Sequence, residues 1–245
     1  MDEKTQFVPL HLHSEFSLLD GAIKLKDLCN FAKENNMPAV AITDHGVMYG
    51  ALDLYLEAKA AGIKPIIGCE FYVHSGPLDE RDAHNNPRYH LILLAKNNIG
   101  YMNMVKLASD AACKGFYMKP RINFELLKER HEGLICCSAC LGGEVLQHLI
   151  KGDYEGAKAV AKRYKDLFGD DYYIELQDHG LEEQKRTNPL LMKIANELGI
   201  KLIITNDSHY LNRADADAQD TLLCLQTNAN KDDEKRFHFP NNEFY

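Results

Sequence analysis

PAVAITDHGVMYGALDLYLEAKAAGIKPIIGCEFYV, residues 38–73, contains one complete structural unit and the strand of the next. AVAITDH (Ala39–His45) is apolar and β-branched over the length of a strand, then turns polar at Asp44 and His45. A helical stretch carrying Leu52, Tyr55 and Leu56 follows, and KPIIGCEFYV (Lys64–Val73) is a second apolar strand. Strand, helix and strand within so short a segment predict a βαβ unit with parallel pairing.

The same pattern extends in both directions. Before it lie a strand near FVPLHLH (Phe7–His13) and a helix from about Lys24 with Leu25, Leu28 and Ala32 on one face. After it come YHLILLA (Tyr89–Ala95) with a helix over about Tyr101–Lys114, and LICCSAC (Leu134–Cys140) with helices from about Gly143 and Tyr154. YYIELQDH (Tyr172–His179) precedes a helix that presents Leu190, Leu191, Ile194 and Leu198 at helical spacing, and KLIITNDSH (Lys201–His209) precedes a last helix through Leu222 and Leu225. The polar loop Gly76–Arg88 replaces a helix after the third strand. The near-continuous apolar strands are what parallel strands covered on both faces require. The expected fold class is α/β, a distorted seven-stranded (β/α)7 barrel with its functional site at the C-terminal mouth. The competing architecture is a doubly wound open sheet, and the absence of a GxGxxG or GxxxxGK[ST] loop weighs against it.

The chain has 245 residues, which suits one large domain. Its 45% hydrophobic and 26% charged residues are ordinary for a globular protein and exclude disorder, collagen-like repeats and coiled coil. No apolar run approaches a membrane span, and no secretory signal is visible, so a cytoplasmic protein without a membrane partner is expected. Seven cysteines, mostly in apolar stretches, then read as reduced thiols. A net charge of −8 argues against a broad DNA-gripping surface, although metal ions can supply positive charge to a phosphate substrate. Residues 1–226 are expected to form the domain, and the polar, charge-rich stretch 227–245 to begin a connection to further domains.

Residues able to ligate metals collect where the expected strands end. These are His11 and His13, Asp44 and His45, Glu70, Cys140, Asp178 and His179, and Asp207 and His209, with His90 inside the fourth strand. Residues two apart on a strand face the same side, so His11/His13 and Asp207/His209 can each aim at one centre. Mixed imidazole and carboxylate donors suit Zn, Mn or Fe better than Mg, and there are more donors than one ion uses. Two or three divalent ions are therefore expected, a cluster able to activate water and neutralise charge on a phosphate. Each residue also has a plain reading: His13 or His90 as a core histidine, Asp44 as a helix cap, Asp20 as a turn residue, Cys140 as an inert thiol. Glu70 resists such a reading because a carboxylate on an apolar strand needs a partner. Coincidence at nearly every strand end favours the ligand reading. Cys136 and Cys137 read as inert buried thiols. His74, His84, His131, His148 and His238 are assigned no role. Asp44, Asp178 and His179 are expected to support the ligands or face the substrate.

HLHSEFSLLDG, AITDHG, PIIGCEFYV, RYHLILLA, SACLGGE and TNDSHY, in that order, resemble the PHP (polymerase and histidinol phosphatase) domain, and in particular its branch at the N-terminus of bacterial replicative DNA polymerase alpha subunits. The resemblance implies a three-metal site ligated by His11, His13, Asp20, His45, Glu70, His90, Cys140, Asp207 and His209. His11, His13, Glu70 and Asp207 would hold one ion and carry catalysis by activating water. Glu70 would bridge to a second ion held by His90 and Cys140, and His45, His209 and Asp20 would hold the third. No ligand position is lost here, and Cys140 stands where the phosphatase branch often has histidine.

The implied function is a metal-dependent phosphoesterase, a 3′–5′ exonuclease that proofreads DNA 3′ ends or single strands within a replicative nucleotidyltransferase. The remaining polymerase domains and a separate exonuclease subunit are the implied partners. One competing function is a metal-braced module that supports the polymerase core and docks the exonuclease subunit without catalysis. Another is a histidinol-phosphatase-type phosphomonoesterase.

Overall fold

The computed structural model describes residues 7–82 and 86–245, so residues 1–6 of the expected domain and His84 lie outside the described residues. In chain order the regular elements are α1 (Leu25–Glu34), β1 (Ala39–Ile42), α2 (Ala51–Ala61), β2 (Lys64–His74), β3 (Tyr89–Ala95), α3 (Asn98–Cys113), β4 (Arg121–Asn123), α4 (Phe124–Glu129), β5 (Leu134–Cys137), α5 (Glu144–Ile150), α6 (Tyr154–Phe168), β6 (Tyr172–Leu176), α7 (Glu182–Leu198), β7 (Lys201–Ile204) and α8 (Ala216–Thr227). They fall into two compact units: residues 7–44, 49–67 and 206–245 form the first, and 45–48 and 68–205 the second.

In the first unit β1 pairs in parallel with the opening of β2, from Ala39↔Lys64 to Ile42↔Ile67. α1 buries Leu25, Leu28, Cys29 and Ala32, the face expected from its periodicity with Cys29 added. Its core also includes Leu12, Ile23, Val40, Ile42, Leu54 and Ile63. α2 turns Ala51, Leu54 and Ala58 inward, and Leu52, Tyr55 and Leu56 outward, with Leu52 66% exposed. One expectation, the strand near Phe7–His13, needs correction here. Residues 7–13 do not form a regular strand. Pro9 has no N–H to give a ladder, and the segment makes isolated parallel bridges, Leu12↔Ser208 and Ser14↔Ile23. Leu12 N–H donates to Thr43 Oγ1 and His13 N–H to the Ser208 carbonyl, so the segment is fixed without being a full strand. After α8 the chain packs back instead of trailing away. Phe244 is buried, its carbonyl accepts from His209 N–H at 2.8 Å, and its N–H donates to the Tyr210 hydroxyl.

In the second unit the rest of β2 pairs antiparallel with β3, from Gly68↔Leu94 to Val73↔Tyr89. β3 pairs antiparallel with β5, whereas β5–β6 and β6–β7 are parallel. The expectation of parallel pairing throughout thus fails at β3. A parallel neighbour needs a long crossover, usually helical, and the described residues of the polar loop after β2 include no helix. The short strand β4, absent from the sequence reading, pairs in parallel with the end of β2. Arg121, on β4, is fully buried and holds the loop by donating to the carbonyls of Leu78 and Glu80 and to Asn86 Oδ1. Among the described residues no helix is long and apolar enough to cross a membrane.

Candidate functional site

The first unit gathers five of the expected ligands. The bridge of Leu12 to Ser208 sets His11 and His13 on one side and Asp207 beside them. The Nε2 atoms of both histidines lie 3.1 Å from Asp207 Oδ1. Asp207 has φ +49°, a left-handed backbone uncommon for any residue but glycine. His209 Nδ1 is 2.8 Å from the Asp207 carbonyl, and its Nε2 is 3.8 Å from Asp20 Oδ2. The rings of His13 and His209 stack at 4.4 Å. Asp20 sits in a tight turn, and Gly21 is required there because a Cβ would fall 2.1 Å from the Ser14 carbonyl oxygen. Burial pushes the Asp207 carboxyl up, but the imidazoles of His11, His13 and His209 outweigh it and hold the group well below the usual range.

Behind these ligands lies Asp44. Its Oδ1 accepts from Ser14 N–H (2.7 Å) and Ser17 O–H (2.8 Å), and its Oδ2 accepts from Ser14 O–H (2.8 Å). It does not cap α2, whose N-cap residue is Gly50 with no side-chain cap. Ser17 Oγ in turn lies 3.1 Å from His13 Nδ1. With its own proton committed to Asp44, Ser17 accepts the Nδ1 proton of His13, which leaves the Nε2 lone pair facing Asp207. Two acceptors 3.1 Å apart require a cation between them, either a proton or a metal ion. The donor set fits a divalent metal: neutral imidazole, its other nitrogen oriented by a hydrogen bond, beside an ionised carboxylate.

The second unit brings together four more. Glu70 is fully buried near the end of β2, with His45 Nδ1 2.6 Å from Oε1 and His90 Nδ1 3.1 Å from Oε2. Cys140 Sγ lies 3.5 Å from the same His90 nitrogen. One ligand atom each from Glu70, His90 and Cys140 fall within 4.8 Å of one another. The antiparallel turn of β3 explains how His90 arrives there from the start of its strand: it pairs opposite Tyr72, at the C-terminal end of β2. Cys140 is placed by a turn in which Ala139 has φ +64°. Gly142 must be glycine, because a Cβ would stand 2.9 Å from the His90 ring.

The sequence reading missed Glu175 and Ser17. Glu175 is buried in β6, where its Oε1 accepts from Ala139 N–H (2.8 Å) and its Oε2 from the Thr205 hydroxyl (2.7 Å), fixing the turn that presents Cys140. The signal was available: a carboxylate inside an apolar strand, the same anomaly that singled out Glu70. Ser17 gives no such signal. Asp178 is exposed and accepts from Gly180 N–H in a local turn, while His179 is buried against the Gln184 side chain. Burial pushes the Cys136 and Cys137 thiols well up, with Glu175 adding to it, as inert thiols require. His74, assigned no role, ties the loop after β2 to Glu80 at 2.8 Å.

Residues 9–179 match the family model described as PHP domain, and the chain belongs to that family. Two solved structures share its fold. One is a candidate metal-dependent phosphoesterase from Bifidobacterium adolescentis, at TM-score 0.51 and 14% identity over 84% of this chain and 88% of that one. The other is an amidohydrolase from Chromobacterium violaceum with bound sulfate and no metal, at TM-score 0.50 and 16% identity over 83% of this chain and 87% of that one. At these identities they bear on the fold alone, and the α/β barrel class expected from the sequence holds. Among curated proteins the chain is similar to DNA polymerase III subunit alpha: 48% identical over its whole length to that of Borreliella burgdorferi, 49% over 98% to that of Deinococcus radiodurans, and 44% over its whole length to that of Thermus aquaticus. It spans 22%, 19% and 20% of those three proteins respectively.

Proposed function

We propose that the chain is the PHP domain of a replicative DNA polymerase alpha subunit, and that its nine donors hold two or three divalent ions for hydrolysis of the phosphodiester at a DNA 3′ end. Zn, Mn or Fe suits the donors better than Mg. The observation that carries this reading is the complete donor complement, with a fully buried Glu70 facing two imidazoles and Asp207 facing three. When bound, the ions supply Lewis acidity and a lowered pKa for water. The protein orients the donors: Asp44 and Ser17 fix the His13 ring, the Asp207 carbonyl fixes His209, and Glu175 fixes the turn before Cys140. The relatives' names support a DNA substrate over a small phosphomonoester and, as partners, the remaining polymerase domains; a separate exonuclease subunit is proposed as a further partner on the sequence resemblance alone.

The test is elemental analysis of the purified chain, followed by a 3′-end digestion assay on single-stranded DNA with added manganese or zinc. The expected result is at least two ions per chain and shortening of the strand, abolished in Asp207→Asn. Bound metal with no cleavage of any phosphoester would favour a purely bracing role.

A further inference from the structure

Beside the donors of the second unit lies a tight turn that none of the roles above uses. It follows α3 and runs over residues 115–120, closed by Tyr117 N–H donating to the Lys119 carbonyl at 3.1 Å. Its tip, Met118, has φ +62°, and strain of this kind persists where surrounding structure enforces it. The enforcement is visible at its base. Gly115 has no room for a side chain, since a Cβ would fall 2.0 Å from the Arg121 carbonyl oxygen, and its own carbonyl accepts from the buried Arg121 Nε. At the other end Pro120 abuts Gly46, next to His45, where a glycine Cβ would lie 2.6 Å from the proline ring.

Three side chains of this turn remain free to meet a ligand. Lys119 lays its ammonium 5.6 Å from the centroid of Tyr72, and that ring contacts His90 at 5.3 Å and His45 at 6.2 Å. Among the described residues no carboxylate pairs with Lys119. Two neighbouring cations are already engaged, Arg121 by carbonyls and Asn86, and Arg81 by the carbonyls of Leu78, Glu80 and Lys114. Phe116 and Met118 are 56% and 62% exposed. A cation flanked by exposed apolar side chains is the pairing that single-stranded nucleic acid uses, with phosphate to the cation and base faces to the apolar surface. A small phosphate ester would use the cation and leave the apolar tip without a purpose.

We propose that the 115–120 turn seats the strand leading to the reacting end, with Lys119 gripping a backbone phosphate and Phe116 and Met118 covering a base. This rests on reading the chain as a DNA-end phosphoesterase. The test uses the full chain, a 5′-fluorescein-labelled single-stranded oligonucleotide and fluorescence anisotropy at rising salt with manganese present. Lys119→Ala should weaken binding about tenfold and reduce the salt slope by about 0.7, the contribution of one single-strand phosphate contact, and Lys119→Arg should restore both. Phe116→Ser combined with Met118→Ser should weaken binding with the slope unchanged. Variants that bind like the parent chain, or a parent chain that does not bind the strand, would overturn the proposal. Digestion measured on the same samples separates the two readings. Binding that responds as expected without shortening of the strand sinks the phosphoesterase reading and keeps the seat, whereas digestion with an unchanged KM in Lys119→Ala does the reverse.

Discussion

Asp207, Glu70 and His13 show how a single side chain is committed to a role by its surroundings. Asp207 is nearly buried and faces three imidazoles that keep it ionised against the cost of burial. Its depressed carboxyl contributes stability at every pH above its unfolded value, about 3.9. That contribution is lost as pH falls through the lower folded value. Acid unfolding of the ion-free chain should therefore steepen below about pH 4, and Asp207→Asn should flatten that part of a stability–pH curve measured by urea titration. Asp44 acts one bond further out. Asp44→Ala removes the acceptor of Ser14 and Ser17 and frees the His13 ring, so metal affinity measured by competitive chelation should fall about 10–100-fold. Most of this was legible from spacing at strand ends. Ser17 was not, because a hydroxyl in a polar loop carries no sign of which carboxylate it will meet.

At the scale of elements, tertiary packing decided what local pattern left open. β3 is an apolar run, and such a run carries no direction. The information lay in the polar sequence Gly76–Arg88 before it, which carries no helical pattern and makes a return hairpin the short route. α2 has apolar residues on two faces, and its neighbours bury the one with Ala51, Leu54 and Ala58. The loop after β2 depends on Arg121, whose guanidinium is consumed by carbonyls and one asparagine oxygen. Arg121→Met would leave those acceptors, buried at Gly115 and half-buried at Leu78, Glu80 and Asn86, without this donor. The expected cost is about 2–4 kcal/mol, read by chemical denaturation, together with faster proteolysis within residues 78–88. Glu175→Ala likewise strands the Ala139 N–H, at about 1–3 kcal/mol. Its second effect should be faster alkylation of Cys140 in zinc-loaded chain, followed by mass spectrometry, because the turn that presents the thiol is no longer held.

For the molecule as a whole, the α/β class was readable from the alternation of apolar strands and helices, while the nine proposed donors came from the family resemblance more than from spacing, since Asp20 lies in a turn and ends no strand. The roles of residues 228–245 were not readable, since a polar composition hides the aromatic anchors Phe239 and Phe244 that pack against His209. If the donors bind ions as proposed, loading must stabilise the native chain by mass action, about 2.7 kcal/mol at a hundredfold excess over Kd. A melting temperature that does not move on titration with manganese or zinc would count against the proposed ion set.

Left-handed backbone occurs at Leu19, Ala139 and Asp207, immediately before or at three proposed donors, in side chains that find that conformation costly. Glycine would adopt it with less strain and far more freedom. Keeping substituted residues there means the cradle is already shaped when a cation arrives, much as a cast mould precedes the metal poured into it. Ion capture should then resemble filling a vacancy more than the coupled ordering of a zinc finger, so circular dichroism in the far ultraviolet stays constant while resistance to heat rises.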